Sequence, residues 1–347
     1  VSTHDRDGAE WNTDALGPTK RGLATELVHK LRQQYGQGGF LHFGQGKWYP
    51  GEQLPRWALS IYWRADGTPC WQDPDVFADE REPSQYTSAD AQRFMQGLTE
   101  QLGLPGDTVL PGFEDTWYYL WRERRLPVNV DPFDARLDDE MERIRLRRVF
   151  SQGLDQPVGY VLPLQPAEPA VEQAASSKTP NLSGAPWQTG RWFLRDERMY
   201  LMPGDSPMGW RLPLDSLPWA APTDRWHMIE QDPFSPHLAP RSALPAAAPI
   251  TLQPRHVQKA TAPASPAAKF ESDASVVRTA LCVEVRDPRR ANGPKVEAEA
   301  QQQGEKSGVL YVFMPPLARL EDYLALVSAV EATARTLGMK IVMEGYP

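Results

Sequence analysis

The stretch VLYVF (residues 309–313), followed by ARLEDYLALVSAVEATARTL (318–337) and KIVME (340–344), decides the fold of this sequence. The first and third segments are rich in strand formers and predict strands, and the long middle segment predicts a helix. A helix between two strands gives the chain room to return, so the two strands can run parallel. Upstream, ALCVEVR (280–286) predicts another strand, which a polar insertion over about 287–308 separates from residue 309.

Helices are predicted in the first half of the chain. Residues 24–34 (ATELVHKLRQQ) place apolar side chains at helical spacing before a glycine-rich stop. Thr87 with Asp90 three residues later has the form of a capping box, and the helix that it opens ends at Gly103. Residues 134–152 carry acids in the first turns and arginines in the last, an order that suits the helix dipole.

Short strands are predicted between these helices. Residues 57–63 (WALSIYW) favour a strand, and the turn signal Asp66-Gly67 predicts a hairpin that returns over 68–71. Residues 160–164 (YVLPL) predict a strand that proline closes, and residues 192–202 (WFLRDERMYLM) predict a second hairpin. The fold class expected is α/β or α+β, with a mixed sheet and packed helices.

Composition and charge exclude several classes of protein. The 347 residues are 41% hydrophobic, which predicts a packed core, and the net charge of −8 argues against nucleic acid or an anionic membrane as partner. The sequence contains no run of about 18 apolar residues, so it predicts no membrane-spanning helix. The two cysteines, Cys70 and Cys282, suggest neither a disulfide framework nor a zinc site, so a cytoplasmic location is expected.

Proline-rich stretches divide the chain, which contains 34 prolines. They indicate five regions along one domain: an N-terminal part (1–165), a loop (166–186), a hairpin region (187–232), a Pro/Ala-rich linker (233–275) and the strand–helix–strand part (276–347). The chain starts without Met and stops just after a strand, so truncation at both ends is expected.

Six segments are similar, nearly word for word, to an amidoligase domain family found in bacterial transglutaminase-like proteins. They are RDGAEWNTDALG (6–17), LHFGQGKWYPGE (41–52), LPVNVDP (126–132), RDER (195–198), PGDSPMG (203–209) and LCVEVR (281–286). The resemblance covers the chain apart from its two Pro/Ala-rich loops and the insertion over 287–308.

The resemblance implies a glutamine-synthetase-like carboxylate–amine ligase, which uses ATP and Mg²⁺ to activate a carboxylate and passes it to an amine. In that superfamily, acidic residues on adjacent strands hold the metal and arginines bind the phosphates. The implied partners are a transglutaminase-like domain in the same chain or operon and a peptide or small carboxylate substrate. Family members continue beyond the EGYP motif at 344–347, so this chain resembles the N-terminal part of an incomplete domain that is inactive alone.

Two acids are the first candidates for metal binding and catalysis. Glu284 and Glu344 each lie in an otherwise apolar strand, where a carboxylate is costly unless it is paired or bound to metal. Mg²⁺ prefers carboxylate and phosphate oxygens as ligands. The alternative is that either acid faces solvent or pairs with an arginine.

Basic residues and glycines are candidates for the nucleotide site. Gly44, Gly46 and Lys47 offer backbone N–H groups and an ammonium in one loop that could hold an anion, and Arg56 follows it. The alternative for this loop is a turn that needs glycine dihedrals.

Arg195 and Arg198 are candidates for catalysis, and an internal salt-bridge cluster with the two acids between them is the alternative. A different class of function remains open as well. Aromatic residues over 48–63 and 117–121 could line a groove of a non-catalytic module that binds a peptide or a glycan, or could pack in the core.

Overall fold

A computed structural model describes most of the elements that the sequence predicts. The described residues are 7–12, 17–44, 57–115, 155–167, 187–192, 194, 198–203, 210–214, 217–221, 276–288 and 308–346. The predicted helix over 134–152, the aromatic run 117–121, and nearly all of the two proline-rich loops lie outside them.

The helices in the described ranges are α1 (Ala9–Asn12), α2 (Pro18–Tyr35), α3 (Ser88–Leu102) and α4 (Leu320–Leu337), with short 3-10 turns at Pro74–Val76 and Gly106–Thr108. The strands there are β1 (Phe40–Gly44), β2 (Ala58–Tyr62), β3 (Leu110–Glu114), β4 (Gly159–Pro163), β5 (Gln165–Pro166), β6 (Trp187–Gln188), β7 (Met199–Pro203), β8 (Trp210–Arg211), β9 (Ala280–Arg286), β10 (Val309–Met314) and β11 (Ile341–Gly345).

The C-terminal strand–helix–strand unit is confirmed. Strands β10 and β11 run parallel on either side of α4 in the chain, with Leu310 opposite Ile341. Helix α4 ends at Gly338, whose left-handed φ of 63° favours glycine. Strand β9 pairs antiparallel with β10, so the sheet combines both directions.

The main sheet has seven strands within the described residues, in the order β11-β10-β9-β4-β3-β7-β8. The pairs β10–β11 and β3–β7 are parallel and the other pairs are antiparallel. The expected mixed sheet with packed helices is therefore confirmed, in an α+β arrangement. The pairs β1–β2 and β5–β6 form separate two-stranded antiparallel ribbons.

The two faces of the sheet carry different cores. One face packs on α3 and α4 through a large apolar cluster that includes Phe94, Leu98, Val330 and Leu310. The opposite face of β4, β7 and β9 carries a smaller cluster, which includes Val161, Met199 and Cys282. Because side chains alternate along a strand, the residues between the members of one cluster point to the other face.

Three predicted elements of the first half are confirmed. Helix α2 contains the predicted segment 24–34 but begins at Pro18, a residue that suits the first turn of a helix. The capping box of Thr87 and Asp90 is present at the start of α3, and Gly103 ends that helix with φ 69°. Strand β4 begins one residue before the predicted strand over 160–164.

The predicted hairpin over 57–71 is wrong in its second strand. The turn forms, with a Gly67 φ of 75°, but residues 68–71 form no strand, and β2 pairs instead with β1. The amides of Cys70 and Trp71 both donate to the Gly38 carbonyl oxygen, at 2.7 and 2.9 Å. This long-range contact replaces the local ladder that the turn signal suggested.

The second predicted hairpin, over 192–202, is also corrected. Trp192 is buried outside any strand, and its indole donates to the Val277 carbonyl oxygen at 2.7 Å. Strand β7 forms as predicted, but it pairs in parallel with β3. The first arm of the hairpin is therefore absent at Trp192.

The segment that precedes α3 in the chain lies along the side of β11 that faces away from β10. Phe77 forms a parallel bridge with Ile341, and the Ala78 amide donates to the Ile341 carbonyl oxygen at 2.8 Å. Strand β1 also packs beside β11. Strand β1 and residues 77 and 78 therefore lie beside β11, at the edge of the sheet. No helix among the described residues is long and apolar enough to cross a membrane.

Candidate functional site

Glu284 and Glu344 lie on the sheet face opposite α3 and α4. Tyr311 on β10 is directly opposite Glu284 on β9, and Phe313, two residues further along β10, is directly opposite Glu344 on β11. Residues two apart on a strand share a face, so both acids point to the same side. Both are buried, and Glu344 is only 1% exposed.

Arg286 joins the two acids. Its Nη1 donates to Oε1 of Glu284 at 2.6 Å, and its Nη2 donates to Oε1 of Glu344. The guanidinium carbon lies 3.7 Å from the centroid of the Tyr311 ring. One cation therefore holds two carboxylates from strands that β10 separates.

Tyr311 extends this contact to a second ion pair. Its hydroxyl donates to Oε1 of Glu80 at 2.6 Å, while Nε and Nη2 of Arg21 donate to Oε2 of the same carboxylate at 2.9 and 2.6 Å. Arg21, on α2, also lies over the rings of Phe43 and Trp57. We call Arg21, Glu80, Glu284, Arg286, Tyr311 and Glu344 the Arg286 cluster.

The charges of this cluster do not balance. Within the described residues it sets three carboxylates against two guanidinium groups, which leaves one negative charge when all are ionised. Burial raises the pKa of Glu344 to about 7, against the attraction of Arg286, and the nearby Glu284 carboxylate adds to the rise. Burial alone would lower the pKa of Arg286, but the carboxylates of Glu344 and Glu284 outweigh it and raise that pKa.

The end of β11 holds Glu344 in place. Gly345 follows it with φ 100°, and a Cβ at that position would overlap the carbonyl oxygen of Met314. The next amide, of Tyr346, donates to the same oxygen at 3.2 Å. Buried His42 lies close by, and the backbone of Gly345 and Glu344 favours its charged form; burial outweighs this effect and lowers the pKa of His42 to about 4. The imidazole is therefore neutral at neutral pH.

Of the remaining predicted site residues, Arg198 and Gly44 lie in the described part of the chain. Arg198 lies next to β7, which β4 and β3 separate from β9. It contacts Asp155 at 3.4 Å and the Phe113 ring at 4.7 Å. Gly44 is the last residue of β1, paired with Ala58. Gly46, Lys47, Arg56 and Arg195 lie outside the described residues.

The donor set agrees only in part with a magnesium site. Carboxylate oxygens are the ligands that Mg²⁺ prefers, and Mg²⁺ bound with a nucleotide commonly uses one or two protein carboxylates plus phosphates and water. Glu284 and Glu344 supply such a pair. In the ranges that the structure describes, no group of three or more His, Cys, Asp or Glu side chains is placed to hold a metal ion. The two carboxylates therefore suit a metal ion whose remaining ligands are phosphate oxygens and water.

Sequence reasoning missed four members of the cluster. Arg286 had a usable signal, because a residue two positions after Glu284 in a strand must share its face. Arg21, Glu80 and Tyr311 had none, since they meet only through tertiary packing. The sequence also did not single out Glu114, a buried acid on β3. In the sheet, β4 alone lies between β3 and β9.

Most of the aromatic residues considered for a binding groove, over 48–63 and 117–121, lie outside the described residues. Of those that the structure describes, Trp57 is half-buried, and Tyr62 and Trp63 are 38% and 52% exposed. Cys70 is buried and burial raises the pKa of its thiol, which disfavours a reactive thiolate.

Comparison with known proteins agrees with the segment resemblance. A family model described as "Putative amidoligase enzyme (DUF2126)" matches residues 1–347. No curated protein and no solved structure matches the chain.

Proposed function

This chain belongs to that amidoligase family, and we propose that its Arg286 cluster serves an ATP- and Mg²⁺-dependent joining of a carboxylate to an amine. The observation that carries the proposal is the convergence of Glu284 and Glu344 on Arg286. In such a reaction the substrate carboxylate displaces ADP from the γ-phosphorus, and the amine then displaces phosphate from the acyl carbon and loses a proton.

The proposed roles follow from the chemistry of the side chains. Glu284 and Glu344 would hold Mg²⁺, which would offset charge on the triphosphate. Arg286 and Arg21 supply guanidinium groups, which match phosphate oxygens and oppose the charge that develops on the transferred phosphoryl group. Glu80 orients Arg21 and Tyr311 through its two oxygens.

The substrate and the partner belong to the same proposal. A peptide or a small carboxylate is proposed as the acid substrate, and a transglutaminase-like domain in the same chain or operon as the partner. Support for both comes from the family resemblance of the quoted segments.

A calorimetric titration with Mg²⁺ and ATP tests the proposal. We expect the chain to bind Mg·ATP, and E284Q and E344Q to bind it at least about tenfold more weakly, because each removes a charged metal ligand. Glutamine preserves the shape of glutamate and can still accept a hydrogen bond from Arg286, so the change is mainly one of charge.

E82Q is the matched control, because Glu82 lies two residues from Glu80 but forms an exposed pair with Lys340 at 2.9 Å. It should leave the affinity for Mg·ATP unchanged, and thermal melts should show all variants folded. Absence of Mg·ATP binding, or equal affinity in E284Q, E344Q and E82Q, would refute the proposed function.

A further inference from the structure

The protein already places a cation of its own between the two proposed metal ligands. Arg286 uses two different nitrogens, one for each carboxylate, and its guanidinium carbon lies 3.7 Å from the centroid of the Tyr311 ring. Its side chain is only 9% exposed. The acids of the pair are therefore already engaged in the structure.

A metal ion and this guanidinium cannot both bind the same carboxylate oxygens. Mg²⁺ requires oxygen ligands at about 2.1 Å, and two cations a few ångströms apart in a buried site repel each other strongly. Removing Arg286 without replacement would take away the cation that two buried carboxylates share, which is also unfavourable. The two cations should therefore exchange.

We propose that Arg286 is a displaceable counter-ion: it holds Glu284 and Glu344 in the absence of nucleotide and yields them to the divalent cation when a triphosphate arrives. This inference rests on the proposed function. The triphosphate provides the new partner for the guanidinium, whose fork matches phosphate oxygens as well as carboxylates. Metal alone offers no such partner, so metal should enter together with nucleotide.

The rest of the cluster forms a frame for this exchange. The Tyr311 hydroxyl is fixed by Glu80, and Glu80 is fixed in turn by two bonds from Arg21. None of these contacts involves the Arg286–carboxylate bonds. The ring beneath the guanidinium can therefore stay in place while Arg286 changes partner.

Mn²⁺ binding, followed by the electron paramagnetic resonance of free Mn²⁺, tests the exchange without any measurement of activity. In the absence of nucleotide we expect R286Q to bind Mn²⁺ at least about tenfold more tightly than the unmodified chain, since its carboxylates lack their cation. Mn²⁺ should also raise the melting temperature of R286Q and leave that of the unmodified chain unchanged. ATP itself binds Mn²⁺, so the melting temperature is the measurement when ATP is present. Mn²⁺ added with ATP should raise the melting temperature of the unmodified chain above its value with ATP alone.

R319Q is the control, because Arg319 holds only one acid, Asp322 of its own helix. It should gain no affinity for Mn²⁺. If R286Q does not fold, R286M replaces it, since methionine also removes the cation and its flexible, unbranched side chain fills the space of the arginine stem. Equal Mn²⁺ affinity in the unmodified chain and the Arg286 variant would overturn the exchange, as would a melting temperature of the unmodified chain that Mn²⁺ does not raise when ATP is present. Failure of the proposed function would appear separately, as no binding of Mg·ATP.

Discussion

At the scale of single residues, Glu344 carries a desolvation cost, because its carboxylate is only 1% exposed. It is a buried carboxylate that shares the guanidinium of Arg286 with Glu284. Burial raises the pKa of Glu344 to about 7 against the attraction of Arg286, and the Glu284 carboxylate adds to the rise.

The raised pKa of Glu344 predicts a pH dependence of stability. The folded state binds the proton more tightly than the unfolded state does, so the contribution of Glu344 to stability is complete below about pH 4.5. It is lost as the pH rises to about 7. The loss is on the order of 3 kcal/mol. Urea unfolding between pH 4.5 and 8 should show this decline in the unmodified chain and a flatter profile in E344Q. Identical profiles would contradict the assignment.

The sequence indicated some of these residues and could not indicate others. Glu284 and Glu344 could be found because a charge within an apolar strand has a high desolvation cost. The partner Arg286 could have been read from its spacing to Glu284. Glu80 sits in a run of charged residues, DERE (79–82), where nothing local distinguishes a buried acid from solvated ones.

At the scale of elements, the bend after β11 fixes where Glu344 lies. The bend depends on Gly345, whose φ of 100° is unfavourable for other residues and whose missing Cβ leaves room for the Met314 carbonyl. Any side chain at this position should displace the end of the strand and with it the carboxylate.

G345A should therefore destabilise the protein more than G338A does. Gly338 also has a positive φ, of 63°, but a Cβ there would meet nothing within 4 Å. G338A should cost about 1 kcal/mol from backbone strain alone, and G345A should cost at least about 2 kcal/mol because a steric clash is added. The free energies of unfolding in urea provide the measurement. Equal costs would show that the Met314 contact does not constrain the bend.

Elements whose signals are local were predicted best. The capping box of α3 and the unit from β10 to β11 depend on residues close in sequence, and both are confirmed. The hairpin over 57–71 was wrong because its turn is local whereas the partner of β2 is chosen by long-range pairing with β1. A turn signal predicts where a strand ends, but it does not predict which other strand will pair with it.

At the scale of the whole molecule, the cluster exists because the topology brings distant segments together. The parallel β10–β11 pair and the antiparallel β9 place Arg286, Tyr311 and Glu344 side by side. The segment along the edge of β11 adds Glu80, and α2 adds Arg21. The sequence predicted the sheet unit and its two acids, but the chain reversals that complete the cluster follow only from the packed fold.

A crystal structure of the chain with Mg²⁺ and a non-hydrolysable ATP analogue tests the central claim most directly. The account predicts a metal ion at about 2.1 Å from carboxylate oxygens of Glu284 and Glu344, with the triphosphate beside it and Arg286 turned toward the phosphates. A nucleotide bound elsewhere, with Arg286 still joining the two carboxylates, would contradict it.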